Sequence, residues 1–270
     1  MSRVWFASAL CLGLICCVGE TSQSVPDFAK IKNASERKQA FFCYLAPMLR
    51  KENDRLLEDR KRLVKILGEE KKGQKPGSSD RGFVEGLAKD YGLKTATADE
   101  GNVKRLLVHV DEVPVSLGLA QGANESAWGT SRFAREGHNF FGQWCFEKGC
   151  GLVPEERPKG KTYEVRLFRN AQDSVNAFML NLNQNTRYES LRAIRAEERK
   201  REEAPSGLAM AEGLRGYSAR GEEYVHTLQS MIRFNDLTRF DSASGIKKAC
   251  EARQTHALRP FGGVGENDPA

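Results

Sequence analysis

Several chemistries are missing from this chain of 270 residues. It has no glycine-rich phosphate loop, no dinucleotide-binding glycine fingerprint and no nucleophile elbow, which sets aside the commonest nucleotide enzymes and serine hydrolases. Histidine is scarce, with four residues in all, and no second Cys/His pair stands at ligand spacing, so neither a metal site nor a cofactor is expected. There is no internal repeat. No apolar run reaches the roughly 20 residues that a membrane-spanning helix needs. Charge of one sign is in slight excess only, 42 Lys and Arg against 36 Asp and Glu. The two signs alternate along the chain, which argues against a nucleic-acid surface.

What is present begins at the N-terminus. Arg3 precedes the apolar run VWFASALCLGLICCVG, and polarity rises sharply at ETSQS. One early positive charge, a short hydrophobic stretch and a small-residue exit predict a secretory signal peptide over residues 1–22. An uncleaved anchor is the alternative, and Cys16 and Cys17 leave a lipid anchor as a lesser one. The mature chain would then reside in the periplasm or cell envelope without a membrane span. It would retain Cys43, Cys145, Cys150 and Cys250 in a compartment that permits disulfides. In WCFEKGC a short loop through Lys148 and Gly149 separates Cys145 from Cys150, so a bridge between them is expected, with two buried thiols as the plain alternative.

Hydrophobic periodicity of 3.6 dominates the rest. Residues 33–70 read as helix, with Ser35 as cap candidate and Pro47 expected to kink or divide it. Residues 71–79 read as a loop. Helix-length segments follow up to Trp128; in VSLGLAQGANES, Gly118 and Gly122 would let a neighbouring helix approach closely. Two extended runs around Pro158-Lys159-Gly160 predict a β-hairpin. Helices then resume from about 171, including YESLRAIRAEERKREE with a solvated charged tail. The expected layout is a signal peptide (1–22), an N-terminal helical region and linker (23–79), a catalytic domain (80–241) and a disordered tail (242–270). The fold class is α+β, mainly α.

One stretch, ESAWGTSRFAREGHNFFGQW, carries candidate chemistry. Glu125 ends an apolar helix, where the helix carbonyls and the loss of water both favour a protonated carboxyl, the form a general acid needs. Trp128, Phe141 and Trp144 offer flat faces to sugar rings, and Asn139 and Gln143 offer amides to hydroxyl or acetamido groups. This composition fits cleavage of a glycosidic bond; the plain alternative is a structural glutamate near aromatics.

The same stretch resembles the E-S-x-W-G and N-(L/F)-F-G elements of the bacterial glucosaminidase-domain proteins, glycoside hydrolase family 73. Through WCFEKGCGLVPEERPKG, EVRLF and DSVNAFMLNLNQNTRYESLR the likeness, over about residues 80–240, is to the Bax-type proteins of Gram-negative bacteria. The resemblance implies a lysozyme-like fold, an α-lobe facing a small β-lobe, and hydrolysis of the β-1,4 bond after N-acetylglucosamine in peptidoglycan strands. It implies Glu125 as general acid, and matches Tyr217, in GYSARGEEYVHTL, to the tyrosine that opens a G-Y-(A/S)-x-D-x-x-Y element, as a catalytic candidate; Tyr224 in the same stretch is a substrate-binding candidate. Gly221 stands where that element often has its aspartate. A second carboxylate would come from the β-lobe: Glu164 is favoured, then Glu156, with Glu147 and Glu155 also available. Assistance by the substrate's acetamido oxygen, or one acid alone as in lytic transglycosylases, are the alternatives, as is a non-catalytic wall-binding scaffold.

Overall fold

The side-chain oxygen of Asn33 accepts the backbone N–H groups of Ser35 and Glu36 at 2.9 and 3.1 Å, so Asn33, not Ser35, starts the longest helix. The computed structural model describes residues 25–95 and 97–257; the expected signal peptide lies outside them. Helix α1 (Ala34–Glu70) passes through Pro47 without dividing. The hydrogen bond lost at Pro47 is outweighed by Leu45, Ala46 and Leu49, all buried beside it. Next come α2 (Ser78–Asp90), α3 (Glu100–His109), α4 (Val115–Ser126) and α5 (Arg132–Gly137). Strands β1 (Trp144–Cys145), β2 (Gly151–Leu152) and β3 (Glu164–Arg166) follow, and then α6 (Ala171–Gln184), α7 (Glu189–Lys200), α8 (Gly207–Met210), α9 (Glu222–Phe234) and α10 (Ala243–Ala257). With 64% helix and 3% strand among the described residues, the fold is mainly α with a small sheet.

The three strands pair antiparallel in the order β1-β3-β2, Trp144 facing Val165 and Gly151 facing Arg166. Strands β2 and β3 are the expected hairpin, with Lys161 N–H closing the turn on the Pro158 carbonyl at 3.1 Å. Strand β1 adds a third member that alternation did not reveal, because two residues are too few to show a period.

Helix α4 is buried nearly all round. Its glycines meet α1 directly: a Cβ on Gly118 would stand 2.7 Å from Leu49 Cδ2, and one on Gly122 2.8 Å from Leu45 Cδ2. The close approach read from the sequence is thus between α4 and α1. Asn53 of α1 fixes the chain just before α4, donating to the Val113 carbonyl at 2.8 Å and accepting Val113 N–H at 2.9 Å. Leu45 and Leu49 share one buried cluster with Leu119, Phe141, Phe178 and Tyr224, so the expected boundary at residue 79 does not separate two cores.

Helix α7 carries the end of its charged tail, Lys200 to Glu203, at the surface, but buries an arginine ahead of it. Arg195 is fully buried and donates to the carbonyls of Asp111, Glu112, Val108 and His109 and to Asn183 Oδ1. Burial lowers its pKa to about 10, so it remains a cation at neutral pH. It thereby satisfies carbonyls at and just beyond the C-terminal end of α3, which a helix leaves without internal partners.

The segment from 243 to 257 is helical, a correction to the disordered tail; residues 258–270 lie outside the described residues. Cys250 of α10 is disulfide-bonded to Cys43 of α1, 207 positions earlier, and Gln39 donates to the Ala249 carbonyl at 2.8 Å. These ties to α1 replace the apolar periodicity that the segment lacks. Cys145 and Cys150 are bonded as expected. Replacing Cys43 and Cys250 together by serine is expected to lower the unfolding free energy by about 2–4 kcal/mol. The same change at Cys145 and Cys150, which close a far shorter loop, should cost less, and urea midpoints of the two variants check that ranking.

Candidate active site

Helix α4 ends abruptly, and that ending sets out Glu125. Ala127, Trp128 and Gly129 all adopt positive φ, at 49°, 60° and 74°, a left-handed run that two of these residues take up at a steric cost. Ser126 holds it: its hydroxyl donates to the Gly122 carbonyl at 2.6 Å and accepts Gly129 N–H at 2.8 Å. No side chain fits at Gly129, where a Cβ would come within 2.5 Å of Phe28.

Glu125, the penultimate residue of α4, meets α9. Its Oε1 accepts the Tyr224 hydroxyl at 2.9 Å and the Asn124 amide at 3.0 Å. Tyr224 in turn accepts Gln121 Nε2 at 3.1 Å. The Tyr217 ring stacks on Tyr224, centroids 5.5 Å apart and planes 2° from parallel, and Tyr188 lies 5.8 Å beyond. Tyr217 donates its hydroxyl to the Phe141 carbonyl at 2.8 Å. Burial first, and the Glu125 carboxylate second, push Tyr217 and Tyr224 far above the usual phenol range. Both therefore act as neutral donors across the physiological range. The structure brings Glu125, Tyr217 and Tyr224 together, with Tyr224 touching the carboxylate rather than lying open to a ligand.

Other candidates have different tasks. Asn139, 1% exposed, spends its amide on the carbonyls of Gln143 and Arg166 at 2.8 and 2.9 Å, while its oxygen accepts Phe141 and Gln143 N–H. It folds the loop and is closed to a ligand. Phe141 is fully buried and stacks on Phe178 at 3.8 Å, so it is core instead of a sugar platform. Gln143 is anchored through its side-chain oxygen, which accepts the Ser174 hydroxyl at 3.3 Å.

Glu164 is corrected most. Only 4% exposed, it accepts Gly149 N–H at 3.1 Å on one oxygen and Gly151 N–H at 2.8 Å on the other. Those two amides hold its carboxyl below the usual glutamate value. It clasps the Cys145–Cys150 loop, and both oxygens are engaged there. The sulfurs beside it are bonded to each other, so this cluster offers no thiolate to a metal.

Two aromatic candidates keep open surface, Trp144 exposed and Trp128 half-buried against Phe41 and Phe42. Trp144 is 51% exposed and packs on Tyr163 at 4.2 Å, with Phe146 beside it in sequence 72% exposed. Trp128 borders a groove of about 520 Å³ with Lys38, His226, Ser230, Met231 and Phe234. The Lys38 ammonium lies 4.8 Å from the Trp128 ring, a favourable cation–π distance. Sequence reading missed Gln121, whose one signal was a polar residue within an otherwise apolar helix.

Residues 105–237 match the family described as glucosaminidase, mannosyl-glycoprotein endo-beta-N-acetylglucosaminidase. The chain is similar to "Protein bax" of Escherichia coli (strain K12), 32% identical over 219 residues that cover 79% of this chain and 75% of that protein. No solved structure matches it.

The clasp at Glu164 depends on pH in a defined direction. With its carboxyl held below the ordinary glutamate range, the ionised carboxylate binds both amides at neutral pH and releases them only as pH falls through that lowered value. Hydrogen exchange of Gly149 and Gly151, corrected for intrinsic rates, should be steady from neutral pH down to the ordinary glutamate range and faster once pH has fallen below it. Glu164→Gln is expected to accelerate both amides at neutral pH.

Proposed function

Because the chain belongs to the Bax-type glucosaminidase-domain family, we propose that it is an exported glycoside hydrolase that cleaves the β-1,4 bond after N-acetylglucosamine in peptidoglycan, with Glu125 as general acid. The observation that carries this reading is the asymmetry around Glu125. Its two hydrogen-bond donors, Tyr224 and Asn124, both reach Oε1, which leaves Oε2 to hand a proton to the departing sugar oxygen. Bond breaking at the sugar develops positive charge on the ring, which an ionised Glu125 would stabilise after its proton has gone.

Glu164 is spent on the Gly149 and Gly151 amides, so the reading gives it no part in the chemical step. Attack by the substrate's own acetamido oxygen suits a site built around one acid; Tyr217, whose hydroxyl proton goes to the Phe141 carbonyl, would meet that group as the acceptor of its N–H. Trp144 in the β-lobe and Trp128 beyond the end of α4 are the proposed stacking faces. Helix α1 supports the catalytic lobe through Leu45 and Leu49 against Gly122 and Gly118. The two disulfides fit an oxidising compartment, in keeping with a leader at residues 1–22. Among the described residues no helix is long and apolar enough to cross a membrane.

The engagement of Glu164 also favours a second reading, a lytic transglycosylase, in which one acid serves and the sugar's own hydroxyl closes the product ring. Fragments released from purified sacculi separate the two. Reducing N-acetylglucosamine ends are expected; anhydromuramic ends would establish the second. Glu125→Gln should lower the rate by about 100-fold or more, seen as loss of clearing in a zymogram. Unchanged clearing by that variant would remove Glu125 from the mechanism, and no clearing by the wild type would point to a wall-binding scaffold.

A further inference from the structure

Gln121 lies one turn before Glu125 on α4, so their side chains share a face. It is fully buried and donates through Nε2 to the Tyr224 hydroxyl, while its Oε1 is buried without a hydrogen-bond partner. An unpaired buried carbonyl is costly, and a fold retains one where another requirement outweighs it. The Tyr224 hydroxyl supplies that requirement. It has one proton and faces two groups, Gln121 and Glu125. Turned the other way, the amide would present its oxygen and compete for that proton. With Nε2 inward, Tyr224 has only Glu125 to donate to.

We infer that Gln121 is a positioning residue that sets the direction of a hydrogen-bond chain, from Gln121 through Tyr224 to Glu125 Oε1, and so confines the transferable proton to Oε2. Oε1 already accepts Asn124 as well, and an oxygen with two donors is the poorer place for a proton. On the Oε2 side the neighbouring chain is Gly142, where a Cβ would stand 3.4 Å away, in ordinary contact. Gln121 touches no reacting atom and acts through Tyr224. The inference rests on the reading of Glu125 as general acid.

The residue type at 121 is then decisive. A glutamate there, once ionised, accepts only; Tyr224 would turn to it, and Glu125 would lose a donor and gain a negative neighbour. Both changes disfavour the ionised form of Glu125. A general acid loses activity as pH rises through its pKa, so the basic limb of the rate profile would move upward. Methionine at 121 keeps the volume and does not compete for the Tyr224 proton, so Tyr224 still donates to Glu125 and the limb would not rise; what is lost is the Nε2–H donor that polarises that hydroxyl.

The experiment measures kcat and KM against pH for wild type, Gln121→Glu, Gln121→Met and Glu125→Gln on a soluble peptidoglycan tetrasaccharide, with urea midpoints to establish folding. Gln121→Glu should move the basic limb up by about one pH unit. Gln121→Met should lower kcat about threefold to tenfold with KM unchanged and no upward movement of the limb. If Gln121→Glu fails to fold, the kcat and KM of Gln121→Met decide. Wild-type kcat and pH profile in the folded Gln121 variants, or a loss confined to KM, would overturn the inference while leaving an inactive Glu125→Gln to uphold the general acid. Activity retained in Glu125→Gln would remove both.

Discussion

The close crossing of α4 over α1 is the constraint on which the other features depend. Two glycines on one helix face two leucines on the other, at separations that leave no room for a methyl group. Each mid-helix glycine weakens α4 by about 1 kcal/mol relative to alanine. Burial of Leu45 and Leu49 returns roughly 1.5–3 kcal/mol apiece, so the crossing is favourable as a whole. Its position along α1 then dictates where α4 stops. Gly122, which meets Leu45, is also the residue whose carbonyl anchors Ser126, and Ser126 sets the left-handed run that follows Glu125.

Around Glu125 the protein supplies neutral donors in place of cations. Tyr217 and Tyr224 are kept protonated by burial and by the carboxylate itself. Within the described hydrogen bonds and ion pairs, Glu125 has no Lys or Arg partner. In the β-lobe the logic is reversed: strands of two or three residues have few ladder bonds, and side chains replace them. Asn139 binds two carbonyls and two amides, and Glu164 two amides. Polar residues that resemble ligand-binding groups in the sequence are here substitutes for backbone pairing.

That substitution explains what the sequence revealed and what it hid. The place of Glu125 at the end of α4 was legible because it ends a run whose apolar character and paired glycines are local properties. The Cys145–Cys150 bridge was legible for the same reason, the partners being five positions apart. Asn139 and Phe141 were assigned to substrate from residue type within a motif, and Glu164 to catalysis from its place in the β-lobe that the resemblance implied. Whether an amide meets a sugar or a carbonyl is decided by the position of Arg166, 27 residues from Asn139, and no local pattern contains it. Phe141 needed knowledge of Phe178, and α10 needed knowledge of Cys43. Tyr224 was placed near the site by resemblance, but its bond to Glu125 spans 99 positions.

The two disulfides differ in reach, and the difference bears on how the molecule is made. A ribosome releases Cys43 early and Cys250 late, with Cys145 and Cys150 emerging between them. During that interval Cys43 could pair wrongly with either of them. Small rings close faster than large ones, so the neighbouring pair captures itself first and withdraws from competition. The short bridge thus protects the fidelity of the long one, and its removal would expose newly synthesised chains to scrambled cross-links even where the finished molecule tolerates the loss.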